Sequence, residues 1–137
     1  MSEVGRTRDA GWEIGVSRTV DGPIGAVWDL IVSPEGTAIW LGDGVTLVKG
    51  EPYETSAGAH GEVRSRHELD RIRLTWWPPG WSHDTTLQLT VRASGEHRTR
   101  IGIHQERLVD AAERERQRRH WQQVINALAD ACRGARA

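Results

Sequence analysis

A polar side chain on the apolar face of a strand must find a partner, and five residues of this chain stand in that position. Arg18 shares the parity of Ile14, Val16 and Val20, while Ser65 and His67 share that of Val63 and Leu69. Thr85 goes with Leu87, Leu89 and Val91, and Gln105 with Ile101 and Ile103. Several lie near strand ends, where reaching water would be enough. The functional reading makes Arg18, His67 and Gln105 the few polar contacts of a mostly apolar small-molecule site. In a closed site His67 could also act as a general base.

Other chemistries are set aside by spacing. The six His (His60, His67, His83, His97, His104 and His120) form no HxH, no HExxH and lie beside no Cys pair, so no metal site is expected. GDGVTLVKG lacks the spacing of a phosphate-binding loop and reads as a turn. There is no serine nucleophile elbow, and no cofactor is expected. The single Cys132 excludes an internal disulfide, which fits a reducing compartment. With 18 Lys+Arg against 19 Asp+Glu among 137 residues, no whole-molecule field favours nucleic acid or an anionic membrane. The basic run ERERQRRHW reads as a salt-paired helix face, with Glu113 able to meet Arg116, and Glu115 able to meet Arg118 or Arg119. No run approaches membrane-spanning length and the N-terminus lacks an apolar signal core, so a cytoplasmic protein is expected.

Aromatic usage is skewed: seven Trp, one Tyr and no Phe. Either Trp has taken over as core filler, or a cavity has indole walls. The stretch LTWWPPGW (74–81) holds three of them. Neighbouring strand residues point to opposite faces, so Trp76, in parity with Ile72 and Leu74, is expected inward. Trp77, in parity with Arg71 and Arg73, is expected on the solvent side, where it is a candidate homodimer contact. Pro78, Pro79 and Gly80 make a turn, after which Trp81 can fold over the rim.

The elements that must position these residues follow from period. Residues 1–10 are polar and read as a flexible lead-in, followed by a single domain over 11–133 and a tail at 134–137. Trp12, Ile14, Val16 and Val20 alternate as a strand. Asp21, Gly22 and Pro23 open a helix with the stripe Ile24, Val27, Trp28 and Ile31, and Ser33-Pro34 opens a second that carries Ile39, Trp40 and Leu41. Strands are predicted over 52–56, 61–69, 71–77, 83–93 and 99–108, with the one-sided alternation of an antiparallel sheet. A long amphipathic helix over 110–132 closes the chain, with Asp110 and Glu113 spaced as a capping box and Trp121, Val124, Ile125, Leu128 and Cys132 on one stripe. The fold class is α+β.

SRTVDGPIGAVWDLIVSPEGTAIW (17–40), GEVRSRHELDRIRLTWWPPGW (61–81), TRIGIHQERL (99–108) and HWQQVINAL (120–128), in this order, resemble the SRPBCC or START-like helix-grip superfamily. Within it the chain is similar to the subgroup named for the activator of heat-shock protein 90 ATPase. The resemblance implies a curved antiparallel sheet wrapped around the terminal helix, with two short helices after the first long strand. It also implies a cavity between sheet and helix for a small hydrophobic, aromatic or amphipathic molecule. Trp40, Trp76, Leu87, Leu89, Ile103 and Trp121 would wall that cavity, with Arg18, His67 and Gln105 as its polar contacts. Residues 42–59, which help form the pocket mouth in such proteins, depart from the subgroup's pattern. Three roles stay open: a carrier or sensor, a polyketide cyclase-like enzyme with His67 as base, and a co-chaperone-like interaction module.

Overall fold

The apolar stripes read above set which faces meet. The structure, a computed structural model, describes residues 6–7 and 11–136. Strands β1 (Arg6–Thr7) and β2 (Gly11–Asp21) lead to helices α1 (Ile24–Val32) and α2 (Pro34–Trp40). Then come β3 (Pro52–Glu54), β4 (His60–His67), β5 (Arg71–Trp76), β6 (Thr85–Ala93) and β7 (Arg98–Leu108), and last the helix α3 (Ala111–Arg136). All neighbours pair antiparallel in one seven-stranded sheet of order β1-β2-β7-β6-β5-β4-β3. This is the expected α+β helix-grip architecture. Arg6 and Thr7 pair with Trp12 and Gly11, so part of the segment read as a lead-in adds an edge strand. The other residues of 1–10 lie outside those described. At the far end α3 continues to Arg136, into the segment read as a tail.

Each helix forms where the sequence signals it and buries the predicted stripe. In α1 Val27, Trp28 and Ile31 are buried, and Ile24 of the same stripe is half-buried. Ser33 caps α2, its hydroxyl accepting from the Gly36 backbone N–H. A Cβ at Gly36 would stand 1.7 Å from the Leu30 carbonyl oxygen, so the tight approach of α1 and α2 requires glycine there. Asp110 accepts the Glu113 backbone N–H at 2.7 Å, as a capping box predicts. Trp121, Val124, Ile125, Leu128, Ala129 and Cys132 are buried against the sheet and α2. Burying Ile125 and Leu128 contributes about 1.5 to 3 kcal/mol apiece. Among the described residues, no helix is long and apolar enough to cross a membrane.

One strand departs from its expected parity. In β4, Val63 pairs with Leu74 but Ser65 pairs with Arg73, so Arg64 is an extra residue and the strand is bulged. Past the bulge the faces exchange. Ser65 and His67, the latter opposite Arg71, turn to the outer face, and Arg66, opposite Ile72, turns inward. Arg66 donates to the Leu47 carbonyl oxygen at 2.7 Å and to Glu68, which also accepts the Trp28 indole N–H at 2.8 Å. These bonds, Arg66's first, hold the Glu68 carboxyl below its ordinary value. Leu69, expected inward, occupies a left-handed turn position (φ 61°) and is exposed.

Candidate functional site

The inward residues of β5, β6 and β7 form the floor beneath α3. Leu87, Leu89 and Ile103 are 0–2 % exposed and belong to one continuous buried cluster with Trp40, Trp76 and Trp121. Trp40 lies at the α2 end of that cluster and donates its Nε1–H to the Ile31 carbonyl oxygen at 2.9 Å, which ties α2 to α1.

Gln105 is at the centre of the buried polar structure. Its Oε1 accepts from Trp121 Nε1 at 2.7 Å and from Gln117 Nε2 at 3.0 Å. Its Nε2 donates to the Thr85 hydroxyl at 2.9 Å, which in turn donates to the Trp76 carbonyl oxygen at 3.0 Å. Four elements are thereby joined through one amide. The sequence expectation that Gln105 and Thr85 face inward holds, but each finds its partner within the protein.

The other two polar candidates lie apart from it. Arg18 reaches the flank of α3 and donates to Asn126 Oδ1 at 2.8 Å. His67 is exposed on the outer face, a correction that follows from the bulge at Arg64. The structure therefore gathers Gln105, Trp76 and Trp121, leaves Arg18 beside them on the helix, and separates His67 from all of them.

A cleft opens at the N-terminal end of α3, where the β5–β6 connection crosses it. It has a volume of about 250 Å³ and is lined by Gly80, Trp81, Ser82, His83, Glu113 and Arg116. Gly80, at φ 83°, makes the turn that the two prolines begin. Trp81 packs on Trp76 (centroids 5.9 Å) and on His83 (5.3 Å). Behind it Trp76 meets Trp121 at 5.3 Å and lies nearly parallel to His120 at 6.1 Å. Burial lowers the His120 imidazole below its ordinary value. Trp76 Nε1 is the one buried side-chain polar atom without a hydrogen-bond partner among the described residues. Trp77 takes the outer face, as expected, stacked on His60 and donating to the Trp81 carbonyl oxygen at 2.7 Å.

His83 is held from both sides. Nδ1 lies 2.9 Å from the Asp84 carbonyl oxygen, and Nε2 lies 2.9 Å from Glu113 Oε1. Glu113 Oε1 also accepts the Val109 backbone N–H at 3.2 Å. Neither nitrogen of His83 is left free to take a proton from a bound molecule.

The sequence profile described as "Activator of Hsp90 ATPase homolog 1-like protein" matches residues 21–133. The chain belongs to this family. Its fold is shared by CalU16 from Micromonospora echinospora, 20 % identical over 94 % of this chain and 80 % of that one, with a TM-score of 0.78. DynU16, a protein in the dynemicin biosynthetic locus, is 19 % identical with a TM-score of 0.77. That match covers 86 % of this chain and 46 % of DynU16, so the present chain spans under half the length of that neighbour. The Aha1 dimer from Colwellia psychrerythraea is 10 % identical over 88 % of this chain and 95 % of that one, with a TM-score of 0.71. At these identities the likeness is one of fold. No curated protein matches the sequence.

Within this member of the Hsp90 ATPase activator-like family, the cleft residues carried only weak sequence signals. Glu113 reads as a capping residue and as a partner for Arg116, but its carboxyl oxygen meets His83, 30 residues earlier in the chain. Glu115 meets Arg118 at 2.7 Å and Arg119 at 3.8 Å, as the spacing predicts. Residues 42–59 line no part of this cleft. Val45, Leu47 and Tyr53 of that segment are buried, and the Tyr53 hydroxyl donates to the Thr75 carbonyl oxygen at 2.5 Å. On the sheet's outer face, Glu13, His104 and Glu106 place one donor atom each within 4.8 Å of one another, a grouping invisible to motif spacing because two strands supply it. The His104 ring lies 3.7 Å from the Glu13 carboxyl and 3.6 Å from that of Glu106, which also pairs with Arg73 at 3.5 Å.

Proposed function

We propose that the protein binds a small aromatic or amphipathic molecule at the N-terminal end of α3, as a carrier or sensor. The observation that carries this reading is a cleft opening against Trp81, which packs on Trp76, whose buried N–H has no partner. At about 250 Å³ the cleft is slightly smaller than ordinary ligand sites of roughly 300 to 1,000 Å³, which favours a ligand of one or two rings. DynU16, of the same fold, comes from a biosynthetic locus, which is consistent with a small-molecule partner.

The polar contacts of this site are Ser82, His83, Glu113 and Arg116, with Trp81 as its aromatic side and Trp76 and Trp121 buried behind it. They replace the set expected from parity. The cyclase-like reading loses its base, since His67 stands on the other face and both nitrogens of His83 are engaged. A co-chaperone-like role rests on the family's description, and a dimer among the neighbours is in keeping with self-association, for which exposed Trp77 is the candidate contact.

Native mass spectrometry of the purified protein tests for a co-purifying small molecule, and tryptophan emission follows titration with an aromatic probe. Saturable one-to-one binding that weakens about tenfold in Trp81→Ala, at an unchanged melting temperature, is the expected result. A stoichiometric chaperone recovered by pull-down, with no small-molecule binding, would replace this reading by the interaction module.

A further inference from the structure

We infer that the ligand of the cleft carries a single negative charge, a carboxylate on an aromatic ring, and that Arg116 receives it. This rests on the binding reading above and adds the chemical class. The partners of the lining residues point one way. Glu113 Oε1 faces His83 Nε2 at 2.9 Å and accepts the Val109 backbone N–H at 3.2 Å, and it makes no ion pair with Arg116. Arg116 has no hydrogen-bond or ion-pair partner among the described residues, although Arg114, Arg118 and Arg119 on the same helix all have one. Its guanidinium is therefore a charged donor in the cleft that no described group of the protein occupies.

The unused hydrogen-bonding groups agree. The Ser82 hydroxyl and the Arg116 guanidinium, both in the lining, have no partners among the described residues, and the Glu113 carboxyl already meets His83. Guanidinium matches a carboxylate in a two-pronged pair, and a single guanidinium suits a monoanion better than a phosphate dianion. Trp81, beside Arg116 in the lining, offers an indole for the ring of such a molecule.

The pair 1-naphthoate and 1-naphthamide, alike in shape and different in charge, tests the inference by calorimetry and tryptophan emission. The acid should bind about fivefold tighter or better than the amide at low salt, with the difference shrinking as salt rises. Arg116→Gln should remove the difference by weakening the acid alone, and Arg118→Gln should leave it intact. Equal binding of acid and amide, or a preference that survives Arg116→Gln, overturns the inference and leaves the binding site standing. If neither probe binds at millimolar concentration, or if Trp81→Ala affects neither, the cleft is not the site and both readings fall together.

Discussion

The first and second halves of α3 meet the same sheet with different chemistry. From Glu113 to Trp121 the inward side chains are a carboxyl, an amide and an indole, each hydrogen-bonded across to the sheet or its connections. From Val124 to Cys132 they are Val124, Ile125, Leu128, Ala129 and Cys132, packed without polar partners. Burial, and then the Asp21 carboxylate, push the Cys132 thiol above its ordinary value, which leaves it a poor nucleophile. Directional bonds orient groups and cost much when broken, whereas apolar burial stabilises without direction. The second half thus anchors the helix, and the first half shapes a cleft.

The sharpest way to break this division is Leu128→Asp in the dry half. An unpaired buried charge costs several kcal/mol, comparable to the whole stability of an ordinary domain. Loss of the cooperative denaturation transition is the expected outcome, and a wild-type melt would show that α3 does not anchor the sheet.

In the polar half, Gln105→Ala strands the Trp121 and Gln117 donors and deprives the Thr85 hydroxyl of one partner. It should destabilise by about 2 to 4 kcal/mol in urea unfolding. A wild-type midpoint with weakened naphthoate binding would instead make Gln105 a ligand contact.

A smaller effect separates the halves by pH. His120 titrates below its ordinary value because burial disfavours the imidazolium, so the unfolded chain binds the proton more readily than the folded one. Its contribution to stability is whole above the unfolded value of about 6.5, declines as pH falls below that, and levels off under the folded value. The unfolding free energy of wild type minus that of His120→Gln should therefore drop between pH 7 and 5. A pH-independent difference would place His120 in water.

The smallest expected effect lies outside α3. Trp77→Ser should leave the melt nearly unchanged and reduce self-association in sedimentation velocity. A monomer at high concentration in both proteins removes the Trp77 face as a contact.

Legibility followed the range of the interactions. The two short helices with Ser33 as cap, the Asp110 cap of α3, and the opposite faces of Trp76 and Trp77 all depend on residues a few positions apart, and all are found as read; the other half of the expected capping box is displaced by one residue, the Glu113 carboxyl taking the Val109 N–H. The parity of β4 failed because a bulge adds one residue to one strand of a pair, and parity has no way to register it. His67, Ser65 and Leu69 were misplaced by that single step. The cleft was missed for a different reason: His83 and Glu113 are distant in sequence, and each has an ordinary local explanation as strand start and capping residue.

The sequence by itself determined the fold class, the order of elements and the faces they bury, because hydrophobic period and caps are local properties of the chain. It also determined that Gln105 and Thr85 would need partners. Only the tertiary structure decided that those partners are Trp121, Gln117 and the Trp76 carbonyl, and that Glu113 meets His83 while Arg116 has no partner among the described residues. Which groups meet depends on distances of about 3 Å between residues far apart in the chain, and those distances are fixed by the packing of α3 on the sheet.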